Sequence, residues 1–548
     1  MTNLNKFNFL WFLIVLFVVI MLFYYIPLNS FPGEDAAILF IYSENLAESG
    51  IISYIKNGKP AEGATDFLWM LILSIFYKMG FDTYLSATFL SAFSLLGSAF
   101  ILLKIADDNE NMRFFKLVSL MLLGMPAIFA AVKGFSTLFF GFFILLSIYF
   151  YLKGKVGPLV ISSLLTCLIR PDGIVFAAPL VASFWILDKK NILKNLIYII
   201  SFAVMPGMIY FCWRFQYFNN LFPLPFYVKS NFERIAIFFN EAALKLNMKF
   251  IVALTPVMMI VLLGIIKSKV KGKIILLIVS TVILPFCFYS SMMLSQNVAY
   301  RFQYPIVVSI IAISLTFSKV ISKVWIYPLA ILGSLVLMAH FYVKAALATI
   351  IIPYQQNITI SKSLKTLQCN GIMMVTEAGI LPYYSKWDAV DLWGLNTPEL
   401  SKTLVSPQFV KNYNSDIIVL HAASGHYGED YRFIINKKDN LNYESRTWMN
   451  MVKNVYSGAI SSGNYQLFMV PYFQKKENQK KEKCLVCQLQ KHFNLTKKRF
   501  DRYDMYMIRK DSLCFSGVKK ILLEHGAVNH KTYFEKKSNF IKNLLQNS

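Results

Sequence analysis

Phe31-Pro32-Gly33-Glu34-Asp35-Ala36-Ala37-Ile38-Leu39-Phe40-Ile41-Tyr42-Ser43-Glu44-Asn45-Leu46 is the stretch on which the fold turns. It follows an apolar run over 9–28, about 20 residues and so long enough to cross a bilayer. No small-residue cleavage site follows that run, so it reads as a retained anchor rather than a signal peptide. Two adjacent carboxylates, Glu34 and Asp35, then open an amphipathic segment. Carboxylates at a membrane surface are costly to desolvate and mark a functional position by default. Capping of the helix that starts there is the plainer reading, and the two roles are compatible.

Outward from this point the chain is dominated by apolar runs. Of its 548 residues, 56% are hydrophobic, and the mean hydropathy is +0.50. Soluble domains sit near about 45–50% apolar, so the chain reads as a polytopic α-helical membrane protein. The net charge of +25 comes from basic loops and a lysine-rich tail, which argues against nucleic acid as a partner. The runs fall near 9–28, 67–80, 84–104, 114–132, 135–152, 157–169, 173–187, 195–213, 249–266, 273–294, 304–320 and 324–348.

The basic loops at 153–155, 188–191, 267–273 and 318–323 read as cytoplasmic. Counting a full span at 67–80 inverts every loop downstream of it. That run also reaches only about 21 Å against a core of about 30 Å. It is therefore expected to lie in the interface, like the helix over 35–49. The expected topology is about eleven spans plus two interfacial helices, N-terminus inside and C-terminus outside. The domains expected are a membrane module over 1–350 (with 28–83 as its first outer loop), an extracytoplasmic α/β domain over 351–473, and a lysine-rich extension over 474–548. Short strand-like runs at 372–375 and 417–421 support the α/β reading.

The seven cysteines do not form a metal framework. Cys167, Cys212 and Cys287 fall in apolar runs and read as packing residues. Cys484-Leu485-Val486-Cys487 lacks a second pair, so a local disulfide or free thiols fit better.

Four segments assigned to the outer face carry the candidate chemistry. These are Glu34–Asp35 with 42–69, Arg170-Pro171-Asp172-Gly173, the aromatic stretch 213–229 ending at Lys229, and Asn297-Val298-Ala299-Tyr300-Arg301-Phe302. A carboxylate facing Arg170, Lys229 and Arg301 is the inventory for sugar transfer from a polyprenyl-phosphate donor. The cations bind the phosphate leaving group, and the carboxylate takes the acceptor hydroxyl's proton. One base with no covalent intermediate implies inversion. Trp69, Tyr217 and Tyr227 are placed to flank the prenyl chain or a sugar face. Plainer readings stand beside these: an internal Arg170–Asp172 pair in a turn, a snorkelling Lys229, and an Arg301 cation–π anchor.

Together these residues resemble the GT-C superfamily of integral membrane glycosyltransferases. The likeness is greatest to the bacterial branch that includes the mycobacterial terminal arabinofuranosyltransferases. The resembling positions are the acidic pair, then Tyr42, Asn45, Leu46, Gly50, Gly58, Glu62, Gly63, Thr65, Leu68 and Trp69. They continue through the turn at 170–173, the element at 223–229 and Arg301-Phe302. Farther on are Glu377-Ala378-Gly379-Ile380-Leu381-Pro382-Tyr383-Tyr384 and Val390-Asp391-Leu392-Trp393-Gly394-Leu395-Asn396. The resemblance implies an outer-face site in a bacterial inner membrane. Asp35 is the expected base with Glu34 as the alternative, and Tyr42, Glu62, Trp69 and Asp172 are expected to bind substrate. The implied donor is a polyprenyl-phosphate sugar, and the acceptor an envelope glycan, lipid or protein. The residues establish no cofactor and leave a divalent cation open: some superfamily members use one, and the residues here form no recognisable ligand set for it.

The chain departs from the pattern in two places. Its acidic pair is Glu-Asp rather than Asp-Asp, and a turn that commonly carries a carboxylate reads Gly134-Phe135-Ser136. A transporter, a non-catalytic scaffold and an envelope polysaccharide polymerase are the competing functions. No internal repeat of the kind transporters carry is visible.

Overall fold

The computed structural model describes residues 13, 15–20, 22–24, 30–108, 121–229, 241–267, 271–292, 297–317, 326–350, 356–421, 443–471 and 503–529. Two compact units result. The first comprises 1–36, 65–221 and 231–351, and the second 37–64, 222–230 and 352–548.

The first unit is helical. Helix α1 (Glu34–Ser49) begins in it; both carboxylates lie in the first turn, where they complement the helix dipole. The helix ends at Gly50, whose φ of 73° is the left-handed conformation a C-terminal cap needs. Next come α2 (Phe67–Lys78), α3 (Thr83–Asp108), α4 (Ile128–Val132), α5 (Thr137–Lys153), α6 (Val156–Ile169) and α7 (Ile174–Leu187). A pair of consecutive helices, α8 (Ile192–Ile199) and α9 (Met205–Phe218), precedes α10 (Leu224–Lys229), which lies in the second unit. The rest of the first unit is α11 (Glu241–Lys267), α12 (Lys271–Ile278), α13 (Leu284–Ser291), α14 (Tyr304–Thr316) and α15 (Ile326–Ile350).

Two π-helical turns, Ile200–Val204 and Val279–Ile283, join α8 to α9 and α12 to α13. Each is followed by a proline at the second residue of the next helix, Pro206 and Pro285. A proline lacks the amide donor and clashes with the carbonyl four residues back. The wider π turn absorbs that mismatch without ending the helix. In the core, α5 packs on α3, α6 and α14, and α11 packs on α15. Gly141 of α5 is a contact point: a Cβ there would lie 2.4 Å from the Tyr304 ring of α14. Small residues let membrane helices approach this closely.

Among the described residues, six helices are long and apolar enough to cross a membrane; Val15–Tyr24, Phe67–Lys78, Thr137–Lys153, Val156–Ile169 and Pro171–Leu187 are shorter. Helices stand where both interfacial segments were expected, at α1 and α2. The run expected over 114–132 is not one helix. Residues 121–123 are helical, a turn over 124–127 follows, and α4 starts at Ile128. Gly124 and Pro126 explain the break. Residues 114–120 of that run lie outside the described residues, as do the basic loop residues 268–270 and 318–323.

The second unit is α/β. Its sheet has the order β2-β1-β3-β5-β4-β6. The strands are β1 (Ile372–Val375), β2 (Asp388–Asp391), β3 (Ile417–Leu420), β4 (Tyr465–Pro471), β5 (Tyr503–Arg509) and β6 (Val528–Asn529). Strand β1 runs parallel to β2 and β3, and the remaining pairs are antiparallel. Helices α16 (Gln356–Lys365), α17 (Ile380–Ser385), α18 (Pro407–Tyr413), α19 (Tyr443–Ser461) and α20 (Phe515–Glu524) accompany it. Its core gathers Met374, Val390, Ile418, Met451, Val455, Met469 and Met507. The sheet extends past residue 473, since β5 and β6 come from the stretch expected to be a basic extension. Residues 472–502, with Cys484 and Cys487, lie outside the described residues.

Cys369, just before β1, is disulfide-bonded to Cys514, between β5 and α20, across 145 residues. Cys167 is half-buried, and Cys212 and Cys287 are exposed on their helices. Closing so long a loop removes much unfolded-state entropy. Reduction is therefore expected to destabilise the second unit by about 2–4 kcal/mol. Thermal unfolding with and without dithiothreitol, with alkylation of the two thiols followed by mass spectrometry, checks this.

Candidate functional site

The turn between α4 and α5 organises the polar centre of the first unit. Lys133 Nζ donates to Ser30 Oγ and to the Phe31 carbonyl, 3.0 Å each. The ammonium lies 3.9 Å from the Phe31 ring centre. The Gly33 amide donates to the Lys133 carbonyl at 2.9 Å. A Cβ on Gly33 would meet the Phe135 ring at 2.6 Å, so the loop that delivers Glu34 and Asp35 lies flat against this turn. Burial pulls the Lys133 ammonium down to about 8.

Asp35 Oδ2 accepts from Arg301 Nη2 at 3.2 Å, and the guanidinium lies 4.3 Å from the Phe135 ring centre. The cation–π contact foreseen for Arg301 thus exists beside an ion pair. Glu34 opens α1 and is half-buried. Arg301 follows a 3-10 turn in which Ala299 and Tyr300 have φ of 47° and 61°. Side chains with a Cβ rarely adopt that region, and such strain persists only where the surroundings impose it. Here Asn297 Nδ2 donates to Gln303 Oε1 (2.8 Å), Gln303 Nε2 to Asn247 Oδ1 (2.7 Å) and Asn247 Nδ2 to Ser290 Oγ (3.0 Å).

Arg170 caps the end of α6. Its Nε and Nη2 donate to the two carboxylate oxygens of Asp172 at 2.9 and 2.8 Å, and Tyr289 OH donates to Asp172 at 2.6 Å. The turn at 170–173 therefore closes on its own ion pair. The Arg170 guanidinium lies 5.0 Å from both the Phe140 and Phe302 rings, and Phe302 also lies 5.1 Å from that of Arg301.

A third carboxylate completes the set. Asp66, at the start of α2, accepts from Ser136 Oγ at 2.6 Å. It stands within electrostatic reach of Arg170, Asp172 and Arg301. Burial pushes its carboxyl above the usual range, against the pull of Arg170. Five elements thus bring Asp35, Asp66, Asp172, Arg170 and Arg301 into one neighbourhood of the first unit. Asp66, Ser136, Tyr289 and Lys133 were not picked out from the sequence. Trp69 is in the same unit, buried against Phe139 with ring centres 5.2 Å apart.

Other expected site residues belong to the second unit. Tyr42 OH accepts from the Gly63 amide at 3.0 Å, and the Leu224 amide of α10 donates to the Glu62 carbonyl, also at 3.0 Å. Both Tyr42 and Glu62 are buried. Lys229 ends α10, and its side chain lies outside the described residues. A Cβ on Gly63 would sit 2.1 Å from Asn396 Oδ1 and 2.4 Å from Tyr42 OH. This close approach explains why the glycine accompanies the tyrosine and the asparagine.

Asn45 Nδ2 binds the Ser53 and Tyr54 carbonyls (3.0 and 3.1 Å), Tyr54 OH donates to the Ala378 carbonyl at 2.5 Å, and Lys386 pairs with Glu44. Buried Asp391, at the end of β2, accepts from the Trp393 amide and from the Asn396 amide and Nδ2. Burial raises its carboxyl to about 6. The motifs at 42–63 and 377–384 are thus joined by a hydrogen bond within one unit, and Gly63 lies close against Asn396 of the motif at 390–396. Among the described residues no group of three or more His, Cys, Asp or Glu side chains is arranged to hold a metal ion.

Residues 348–468 match a family described as a domain of unknown function, DUF8728. No curated protein matches the chain. Two crystal structures are similar to it, both of ArnT from Cupriavidus metallidurans. The one bound to undecaprenyl phosphate has a TM-score of 0.53 at 12% identity, covering 75% of this chain and 93% of that one. The one in the apo state has a TM-score of 0.50 at 12% identity, covering 76% and 93%. At this identity the likeness is one of fold: a mostly helical chain, with six helices long and apolar enough to span a membrane, has an ArnT-like fold.

Proposed function

We propose that the protein is an inverting glycosyltransferase of the GT-C kind. It moves a sugar from a polyprenyl-phosphate donor to an envelope glycan, lipid or protein on the outer face of the membrane. The observation that carries this reading is Arg301. It is 11% exposed in its side chain and holds Asp35 through Nη2, while its Nε has no hydrogen-bond partner among the described residues. A buried guanidinium with an unused donor is suited to a phosphate oxygen, and it adjoins a carboxylate suited to be a base. The ArnT-like fold supports the reading, since one of those ArnT structures holds undecaprenyl phosphate. The narrower likeness to the arabinofuranosyltransferase branch rests on the motifs alone. The Cys369–Cys514 disulfide supports an oxidising compartment for the second unit.

In the proposed reaction Asp35 takes the proton of the acceptor hydroxyl, with Glu34 as the alternative base. The acceptor oxygen bonds to the anomeric carbon from the face opposite the phosphate. The carbon–oxygen bond to phosphate breaks, and its electron pair leaves on the polyprenyl phosphate. Arg301 and Arg170 stabilise that charge. Asp172 orients Arg170 through its bidentate contact, and Tyr289 fixes Asp172.

Protein in lipid nanodiscs, supplied with polyprenyl-phosphate sugars and envelope acceptors, should release polyprenyl phosphate. Arg301→Ala is expected to raise the donor KM about 10- to 100-fold, the worth of charge-assisted hydrogen bonds. No release from any donor by the wild-type protein, or an unchanged donor KM in the variant, counts against the reading.

A further inference from the structure

The second unit has a topological break at the C-terminal ends of its parallel strands. From β1 the chain crosses through α17 to β2 on one side. From β3, on the other side of β1, it proceeds to strands farther in the opposite direction. In open α/β sheets, ligands bind where two neighbouring parallel strands send their connections opposite ways.

Glu377 and His421 sit at this point, just past the ends of β1 and β3. The His421 amide donates to Thr376 Oγ1 at 2.8 Å, and the Thr376 amide donates to the Val419 carbonyl at 3.2 Å. The two strand ends are therefore tied together. His421 Nε2 lies 2.8 Å from Glu377 Oε1, and Nδ1 lies 2.9 Å from Asp504 Oδ1. Asn357 Nδ2 donates to the other Asp504 oxygen at 3.1 Å. Exposure is graded along the row: Asp504 is 1% exposed, His421 10% and Glu377 35%. The row runs from a buried anchor, through a fixed imidazole, to a carboxylate that solvent reaches.

We infer that Glu377, held by His421 and Asp504 at the β1–β3 crevice, binds hydroxyl groups of a neutral glycan. Its carboxylate has only acceptors, so its ligand must donate. The imidazolium already paired with Glu377 offsets much of its attraction for a ligand ammonium, which would still have to give up its hydration. A sugar hydroxyl uses the remaining lone pairs without that penalty. Asp391, at the end of β2, is committed to its own loop and offers no such surface. The inference rests on the transferase reading for the identity of the glycan as an acceptor, and on the sheet alone for the site.

The test uses full-length protein in nanodiscs with three probes: the neutral oligosaccharide pool released from the native envelope, spermine, and undecaprenyl phosphate. The expected result is saturable binding of one or more oligosaccharides, weakened at least tenfold in Glu377→Gln while undecaprenyl phosphate binding is unchanged. Thermal unfolding reports whether Glu377→Gln folds. If it does not, Glu377→Asp, which keeps the charge but withdraws it from the surface, is expected to show the same loss. No oligosaccharide bound by the wild type, binding undiminished in the folded variant, or binding of spermine alone overturns the inference. Undecaprenyl phosphate bound without any glycan leaves the transferase reading standing and removes this site. Glycan bound without undecaprenyl phosphate does the reverse.

Discussion

Asp35→Asn is expected to lower transfer about a hundred- to ten-thousand-fold, the range for loss of a general base, with the protein still at normal level in the membrane. The substitution is nearly isosteric. An asparagine carbonyl oxygen still accepts from Arg301 Nη2, so the geometry at 3.2 Å needs no rearrangement. Proton affinity is what disappears. Arg301 also keeps a neighbouring negative charge in Asp66, so it is not left as an isolated buried cation. Mass spectrometry of envelope glycans and lipids, from wild-type cells, a deletion strain and the deletion carrying Asp35→Asn, reads the outcome. One sugar missing from a defined acceptor in both altered strains names sugar and acceptor together. Rescue by Asp35→Asn transfers the base role to Glu34 or removes it, and full activity of the Glu34→Gln, Asp35→Asn double variant defeats the mechanism. A scaffold would tolerate both changes.

How much of this centre could be read from the chain follows from how local each signal is. Asp35 and Arg301 were legible because charges at the ends of apolar runs are conspicuous, and the fold pairs them. Asp66 lay within the stretch 42–69 already singled out, but nothing local distinguishes it from a residue that merely precedes a helix. Its significance depends on Ser136, which is distant in sequence. Ser136 itself registered as the loss of a carboxylate. In the structure its hydroxyl donates to Asp66, so a carboxylate is present in this neighbourhood, supplied from another segment.

Lys133 was not picked out, because nothing in its surroundings announces that it will reach back to Ser30 and Phe31. The break at 124–127 had a visible cue in Pro126, outweighed by the hydrophobicity on either side. Strand β5 was hidden for a different reason. It occupies the sheet between β3 and β4, so Met505, Tyr506, Met507 and Ile508 are all buried. It therefore lacks the alternation that marks a half-exposed strand, and the lysine-rich residues before it dominate the local composition.

The buried row in the second unit gives the second large effect. A neutral imidazole carries one N–H, yet both ring nitrogens of His421 face carboxylate oxygens, at 2.8 and 2.9 Å. Only the imidazolium donates to both. Burial works against that charge, but Glu377 and Asp504 outweigh it and raise the imidazole to about 10. Burial, with the same two carboxylates adding to it, holds Tyr506 well above its usual range, and it stays protonated, donating to Asn357.

His421→Ala leaves Asp504 buried without its counter-charge and removes the link between the β1 and β3 ends. Breaking a buried pair in this way costs about 3–5 kcal/mol. The folded value lies above the ordinary 6.5, so the stabilisation is complete below about pH 6.5. It then diminishes as pH rises and is lost through about pH 10. Amide hydrogen exchange at β1 and β3 in the full-length protein should therefore accelerate between pH 7 and 10, after correction for the intrinsic rate. His421→Ala should begin from the faster rate and lose the pH dependence. A wild-type protein whose β1 and β3 protection stays flat across that range would mean that His421 is neutral, and that one of the two carboxylates carries the proton instead.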